Sequence, residues 1–123
     1  VNAQFATADM SRAFRMTEVF AQVFDVIGAT YGKPIDTNSM SAARFITHLR
    51  YLFVRADREN NKQQHITQPG VLAALRADAP QAFACAQKVL LLLEMQLNQP
   101  LRQDELTYLT IHIDRLAQEM WGS

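Results

Sequence analysis

Apolar side chains recur along most of this chain at the three- and four-residue spacing of an amphipathic helix. Five stripes of this kind predict helices over residues of about 11–30, 38–58, 67–75, 78–97 and 103–120. Polar or proline residues that can begin a helix precede four of them: Thr7 or Asp9, Asn38 or Ser39, Thr67 with Pro69, and Asp78 with Pro80. No stretch alternates in the manner of a strand, so we predict an all-α fold, a compact bundle of about five helices.

The second and third stripes are separated by the sequence ENNKQQHITQPG, residues 59–70, which has almost no apolar content and is predicted to be a loop. His65 lies in this segment and is interpreted as an exposed residue without a functional role. The fourth helix is apolar nearly all round, because Leu91 and Leu92 widen its stripe. We therefore expect it to lie at the centre of the bundle.

Length and composition indicate one globular domain of 123 residues, with 49% hydrophobic and 20% charged residues. Twelve Lys and Arg balance twelve Asp and Glu, so we expect no direct contact between this segment and RNA or DNA. Cys85 is the single cysteine, which excludes a disulfide framework and a cysteine-based zinc site. The short apolar runs and the lack of a signal peptide predict a cytoplasmic protein that contacts no membrane.

Two histidines stand in similar surroundings on two predicted helices. His48 in RFITHLRYLF lies beside the middle of an apolar stripe, and His112 in YLTIHIDRLA takes the same edge position. An edge position anchors the ring by packing while one nitrogen stays within reach of solvent or a partner. Arg44 and Arg55 share the flank of His48. Glu105, Tyr108 and Glu119 share the flank of His112, and Arg115 lies one turn beyond it.

Several chemical interpretations of this pair stay open. The histidines can be ordinary edge residues, or metal ligands together with Glu105 and Glu119, although no HExxH motif or cysteine cluster supports a metal. A haem held by histidine and methionine is a rarer arrangement. A neutral imidazole, with an ordinary pKa of about 6.5, can also accept a phosphoryl group. Arg44, Arg55 and Arg115 would then stabilise the added charge, and we expect neither metal nor cofactor.

These stretches resemble a known family, the phosphotransferase-system regulation domains of BglG-type transcriptional antiterminators. RFITHLRYLFVR and DELTYLTIHIDRLAQE resemble its two histidine motifs, in the same order and at a similar separation, and APQAFACAQKV resembles its middle helix. The opening VNAQ resembles the end of a first regulation domain. The resemblance implies that residues 1–6 are the tail of a linker. Residues 7–123 would then be the second regulation domain of a protein with a separate N-terminal RNA-binding domain.

The same resemblance implies a helical bundle that forms a homodimer and is phosphorylated on His48 and His112. The implied donor is HPr, a sugar-specific enzyme II component, or both. Phosphorylation would reorganise contacts between subunits and so control RNA binding by the N-terminal domain. On this interpretation the domain is a receiver of phosphate and not an enzyme.

Other functions stay as alternatives. A histidine phosphotransfer domain of two-component signalling is also a helical bundle, but its Lys-Gly pattern is missing from THLRYLF. A regulation domain of a DNA-binding transcriptional activator would share both histidine motifs. A small enzyme would need a polar pocket where Glu105, Glu119 and the histidines converge, and a structural oligomerisation module would need no reactive histidine.

Overall fold

A computed structural model describes the backbone of residues 2–57 and 69–122 and the side chains of residues 15–56 and 70–122. The backbone forms five helices: α1 (Asn2–Tyr31), α2 (Met40–Asp57), α3 (Pro69–Asp78), α4 (Pro80–Leu97) and α5 (Gln103–Trp121). These residues contain no strand, and the predicted all-α bundle is confirmed. In the same residues, no helix has the length and apolar content that crossing a bilayer requires.

The predicted loop at 59–70 is described only at its end. Residues 58–68, and with them His65 and Thr67, lie outside the described residues. α3 begins at Pro69, in agreement with the proline signal in the sequence. Proline is suited to this position because its ring fixes a helical φ and its missing N–H has no partner in a first turn.

The first helix begins earlier than its hydrophobic stripe predicts. α1 starts at Asn2 and not near Ser11, so Thr7 and Asp9 lie inside the helix and the prediction that they cap it was wrong. The segment before the stripe contains three alanines and neither glycine nor proline, so helix propensity extends α1 beyond the apolar pattern. From Asn2 onward, the segment predicted as a linker (1–6) is continuous with α1, and the domain boundary itself stays a prediction.

Two other predicted helix starts have opposite outcomes. Ser39 caps α2 as predicted, because its Oγ accepts a hydrogen bond from the backbone N–H of Ala42 at 3.1 Å. Asp78 does not cap α4, since it is the last residue of α3 and Ala79 occupies the cap position. Pro80 disfavours the helical region for Ala79, which has φ −133° and ψ 64°, and Pro80 itself stands in the first turn of α4.

α4 lies at the centre of the bundle, as its apolar pattern predicts, and packs against α1, α3 and α5. Val89 and Leu93 are fully buried on its inner side. Leu91, in contrast, is 62% exposed, because an apolar run that covers the whole circumference of a helix has one side that its neighbours do not reach. The centre of the predicted stripe is therefore a better guide to burial than its margins.

α2 and α5 run antiparallel and form the seam that positions the candidate site. Phe53 of α2 packs edge-on against Phe20 of α1, with ring centroids 5.9 Å apart. Phe45 makes a second contact with Phe24 of α1, also at 5.9 Å. On α5, Ile113 is fully buried. Because these apolar contacts fix both helices, their polar edges are held side by side.

Candidate functional site

His48 and His112 lie where α2 and α5 meet, each at the edge of the buried stripe of its helix. Leu49 is buried next to His48, and Ile113 is buried next to His112. Both histidines are half-buried, which confirms the predicted edge position. Packing therefore restrains each imidazole while part of each residue stays in solvent.

The structure brings the two imidazole rings into direct contact. Their centroids are 3.8 Å apart and their planes meet at 22°, so the rings stack. Two imidazolium cations would repel each other at this distance. Burial first, and the neighbouring His48 second, lower the pKa of His112 from 6.5 to about 4. His112 is therefore neutral at pH 7, and one of its ring nitrogens keeps a lone pair.

Tyr108 joins the pair from the preceding turn of α5. Its hydroxyl donates a hydrogen bond to the backbone carbonyl of His48 at 3.1 Å, and it lies 3.1 Å from Nδ1 of the same residue. The tyrosine ring is 4.4 Å from the ring of His112 between centroids. Burial raises the pKa of Tyr108 further above 10, so the hydroxyl stays protonated. The sequence placed Tyr108 on the flank of His112 but assigned it no role; its position four residues before His112 was the available signal.

On one side of the pair is the inner flank, which consists of Arg55, Glu105 and Tyr108. Arg55 forms a two-pronged ion pair with Glu105, Nε to Oε2 at 3.1 Å and Nη2 to Oε1 at 2.6 Å. The hydrogen bond to Glu105 is the largest cause of a raised pKa at Arg55. The guanidinium also lies 4.4 Å from the centre of the Tyr108 ring. Arg55, a predicted phosphate contact, is thus already engaged.

On the other side is the open flank, which consists of Arg44, Arg115 and Glu119. Arg44 makes one ion pair, Nη1 to Oε2 of Glu119 at 2.9 Å. Arg115 is exposed and has no ion-pair partner among the residues that the structure describes. A pocket of about 290 Å³ is lined by these three residues and by both histidines. Of the predicted phosphate contacts, Arg44 and Arg115 therefore share a pocket with the histidines and Arg55 does not.

The carboxylates that would make a metal site are occupied by arginines. Glu105 faces Arg55 and Glu119 faces Arg44. Among the side chains that the structure describes, those of residues 15–56 and 70–122, no group of three or more His, Cys, Asp and Glu is arranged to hold a metal ion. The polar residues at the seam are instead two stacked imidazoles with an arginine–glutamate ion pair on either side.

Comparison with known proteins matches most of the chain. The model of the PRD domain family matches residues 21–116. Similar curated proteins include the transcription antiterminator LicT of Bacillus subtilis, 25% identical over 97% of this chain and 42% of that protein. The PtsGHI operon antiterminator of Bacillus subtilis is 22% identical over 98% of this chain and 42% of its own length. The GlcA/glcB genes antiterminator of Staphylococcus carnosus is 31% identical over 69% of this chain and 29% of that protein.

This chain therefore spans about two fifths, or less, of the length of these relatives. No solved structure matches it significantly.

Proposed function

The chain belongs to the PRD domain family, and from this premise we propose that it is a regulatory phospho-acceptor domain of a transcriptional antiterminator. The relatives that it matches over nearly its whole length are antiterminators by name. In our proposal, the sugar phosphotransferase system phosphorylates His48 and His112, with HPr or a sugar-specific enzyme II component as donor. The observation that carries the proposal is the contact between two half-buried imidazoles from helices that are distant in sequence.

The proposed chemistry needs a ring nitrogen with a free lone pair. That lone pair attacks the phosphorus of the donor's phosphohistidine, a new N–P bond forms, and the donor imidazole leaves with the electron pair of the old N–P bond. No net proton moves when donor and acceptor each keep the hydrogen on their other ring nitrogen. The pKa of His112, lowered to about 4, supports this role because the ring is unprotonated at neutral pH.

The pocket beside the histidines suits the charge that phosphorylation adds. A phosphoryl group carries a charge of roughly −1.5 to −2 and three acceptor oxygens. Arg115 is available for these oxygens, and Arg44 can exchange its single exposed bond to Glu119 for a bond to phosphate. We expect Arg55 to stay with Glu105, because breaking a two-pronged pair would leave a largely buried carboxylate without its partner.

The proposed output is a change in self-association. Such phosphate contacts are comparable to a coupling free energy of about 1 to 3 kcal/mol, which is enough to shift a balanced equilibrium between dimer forms. A separate N-terminal domain of the full-length protein would bind the RNA, in keeping with the zero net charge of this segment. In this role the domain receives phosphate and catalyses no turnover of its own, and it acts in the cytoplasm where the donors are found.

The test is phosphorylation of the protein with enzyme I, HPr and phosphoenolpyruvate, followed by mapping of the phosphorylated residues. We expect incorporation at His48 and His112, loss of one site in His48→Ala, and loss of the other in His112→Ala. His65→Ala serves as a matched control that keeps both sites. Replacement of HPr by a histidine kinase pathway should give no incorporation, which distinguishes this function from that of a histidine phosphotransfer domain. Absence of phosphate from both histidines, with HPr and enzyme II components each supplied, would refute the proposal.

A further inference from the structure

The contacts of Tyr108 favour one of the two nitrogens of His48 as the carrier of the ring hydrogen. The phenol hydroxyl has one proton. Its oxygen lies 3.1 Å from two atoms of His48, the backbone carbonyl oxygen and Nδ1. A carbonyl oxygen can only accept, so both contacts are hydrogen bonds at the same time only if the hydroxyl proton is donated to the carbonyl. The contact with Nδ1 is then a hydrogen bond only if Nδ1 is the donor and the phenol oxygen accepts.

This assignment fixes the tautomer of the neutral ring. A neutral imidazole carries a single N–H, and the hydrogen bond made by one nitrogen decides which nitrogen keeps it. With the hydrogen on Nδ1, the lone pair of His48 is on Nε2. An unconstrained histidine in water prefers the opposite tautomer, so Tyr108 reverses the intrinsic preference of the ring.

The inner flank holds Tyr108 in the position that this role requires. Its ring lies under the guanidinium of Arg55, 4.4 Å from the ring centroid, and Arg55 is held by two bonds to Glu105. The tyrosine ring also contacts the ring of His112, with 4.4 Å between the centroids. The phenol is therefore held by a cation and by an imidazole, and its hydroxyl has little freedom to leave His48.

The two histidines differ in this respect. No side chain among the residues that the structure describes forms a hydrogen bond with the ring of His112. Its contacts are the stacked ring of His48 and the ring of Tyr108. The tautomer of His112 is therefore not selected by a partner, whereas that of His48 is.

We propose that Tyr108 is a positioning residue that holds His48 as the Nδ1–H tautomer and so directs the phosphoryl group to Nε2 of His48. The statement about the phosphoryl group rests on the proposed function, and the statement about the tautomer does not. The same hydrogen bond stays in place after transfer, because the Nδ1–H donates to the phenol oxygen throughout.

Tyr108→Phe tests this proposal, because it removes the hydroxyl and keeps the ring between Arg55 and His112. In protein labelled with ¹⁵N in histidine, long-range ¹H–¹⁵N spectra at pH 8 report the tautomer of each ring. We expect His48 to be the Nδ1–H form in the wild type and to lose this preference in the variant, while His112 is unchanged. Tyr51→Phe, on the exposed face of α2, is the matched control and should match the wild type.

The second measurement follows phosphorylation of the same proteins by enzyme I, HPr and phosphoenolpyruvate. We expect the phosphoryl group of wild-type His48 on Nε2, and in Tyr108→Phe a rate at His48 lowered by about tenfold, from one lost hydrogen bond to the reacting ring. Part of the product should carry phosphate on Nδ1. The rate at His112 should stay within about twofold of that of the wild type.

The proposal is overturned if wild-type His48 is the Nε2–H tautomer, if its phosphate is on Nδ1, or if Tyr108→Phe changes neither property. The wild-type spectra decide the tautomer even if the variant does not fold. If the wild type accepts no phosphate, the proposed function fails, and the tautomer measurement still decides whether Tyr108 positions His48.

Discussion

The two flanks of the histidine pair each contain an arginine–glutamate ion pair, and they differ in how firmly that pair is held. In the inner flank, Arg55 and Glu105 form two hydrogen bonds, and their side chains are 33% and 12% exposed. In the open flank, Arg44 and Glu119 form one, and their side chains are 57% and 32% exposed. The same charge pairing is therefore shielded from water on one side and solvated on the other.

This difference separates two tasks. A shielded two-pronged pair keeps its geometry, because losing either partner leaves a charge with little solvent to compensate it. An exposed single-bonded pair contributes little and exchanges partners easily, because water solvates both ions when they separate. The inner flank is thus suited to positioning Tyr108 and His48, and the open flank to receiving a new anion.

The largest expected effect comes from breaking the inner pair. Glu105→Ala should lower the free energy of unfolding by about 2 kcal/mol, because Arg55 loses both hydrogen bonds in a place where solvent replaces them only partly. Urea denaturation measures the change. The matched variant at the open flank, Glu119→Ala, should cost less than about 1 kcal/mol. Equal losses in the two variants would show that the flanks do not differ in rigidity.

The next effect concerns pH, and it comes from the ring between the two flanks. His112 has a pKa of about 4 in the folded protein and 6.5 as its ordinary value. Between these values the unfolded chain binds more protons, so stability is fully present above pH 6.5 and falls as the pH drops towards 4. The His112→Gln variant should lack the decrease in stability that protonation of this ring causes between pH 6.5 and 4. Thermal unfolding of the wild type and the variant is measured at pH 7 and pH 5. An equal decrease in melting temperature in both proteins would contradict the prediction.

Removing the arginines of the open flank should affect phosphate acceptance more than folding. Arg115→Ala and Arg44→Ala should each slow phosphorylation by about tenfold, the equivalent of one charge-assisted hydrogen bond to phosphate. Their free energies of unfolding should change by less than about 1 kcal/mol, since both side chains are exposed. Arg76→Ala on α3 is the control for loss of positive charge. Wild-type rates in both open-flank variants would remove these arginines from the phosphate site.

The smallest effect is expected from freeing Arg44 while keeping it in place. Glu119→Gln removes the competing carboxylate, so phosphorylation should become about two- to threefold faster at low salt. Because salt screens exposed charges, this advantage should shrink as ionic strength rises. A time course of phosphate incorporation at two salt concentrations is the measurement. A slower variant would mean that Glu119 takes part in acceptance and does not compete with it.

Helix positions and the edge placement of the histidines were predictable, because each follows from local periodicity. Ser39 was a correct cap, since a hydroxyl three residues before a free N–H is enough for the bond. Asp78 does not cap α4, because Pro80 sets the conformation of Ala79 and so makes Ala79 the cap residue. Tyr108 was seen on the flank of His112 but could not be connected with His48, which lies on another helix.

By itself, the chain's sequence determined the helices and their buried stripes, because side-chain direction within a helix repeats every few residues. For the same reason it determined that two histidines lie beside arginines and glutamates on the edges of these stripes. Only the tertiary structure decided the partners across the α2–α5 seam. Antiparallel packing placed the two imidazoles face to face, gave Arg55 to Glu105 and left Arg115 exposed in the open flank. These choices depend on how the core side chains of two distant helices fit together, and a shift of one turn between the helices would exchange every partner.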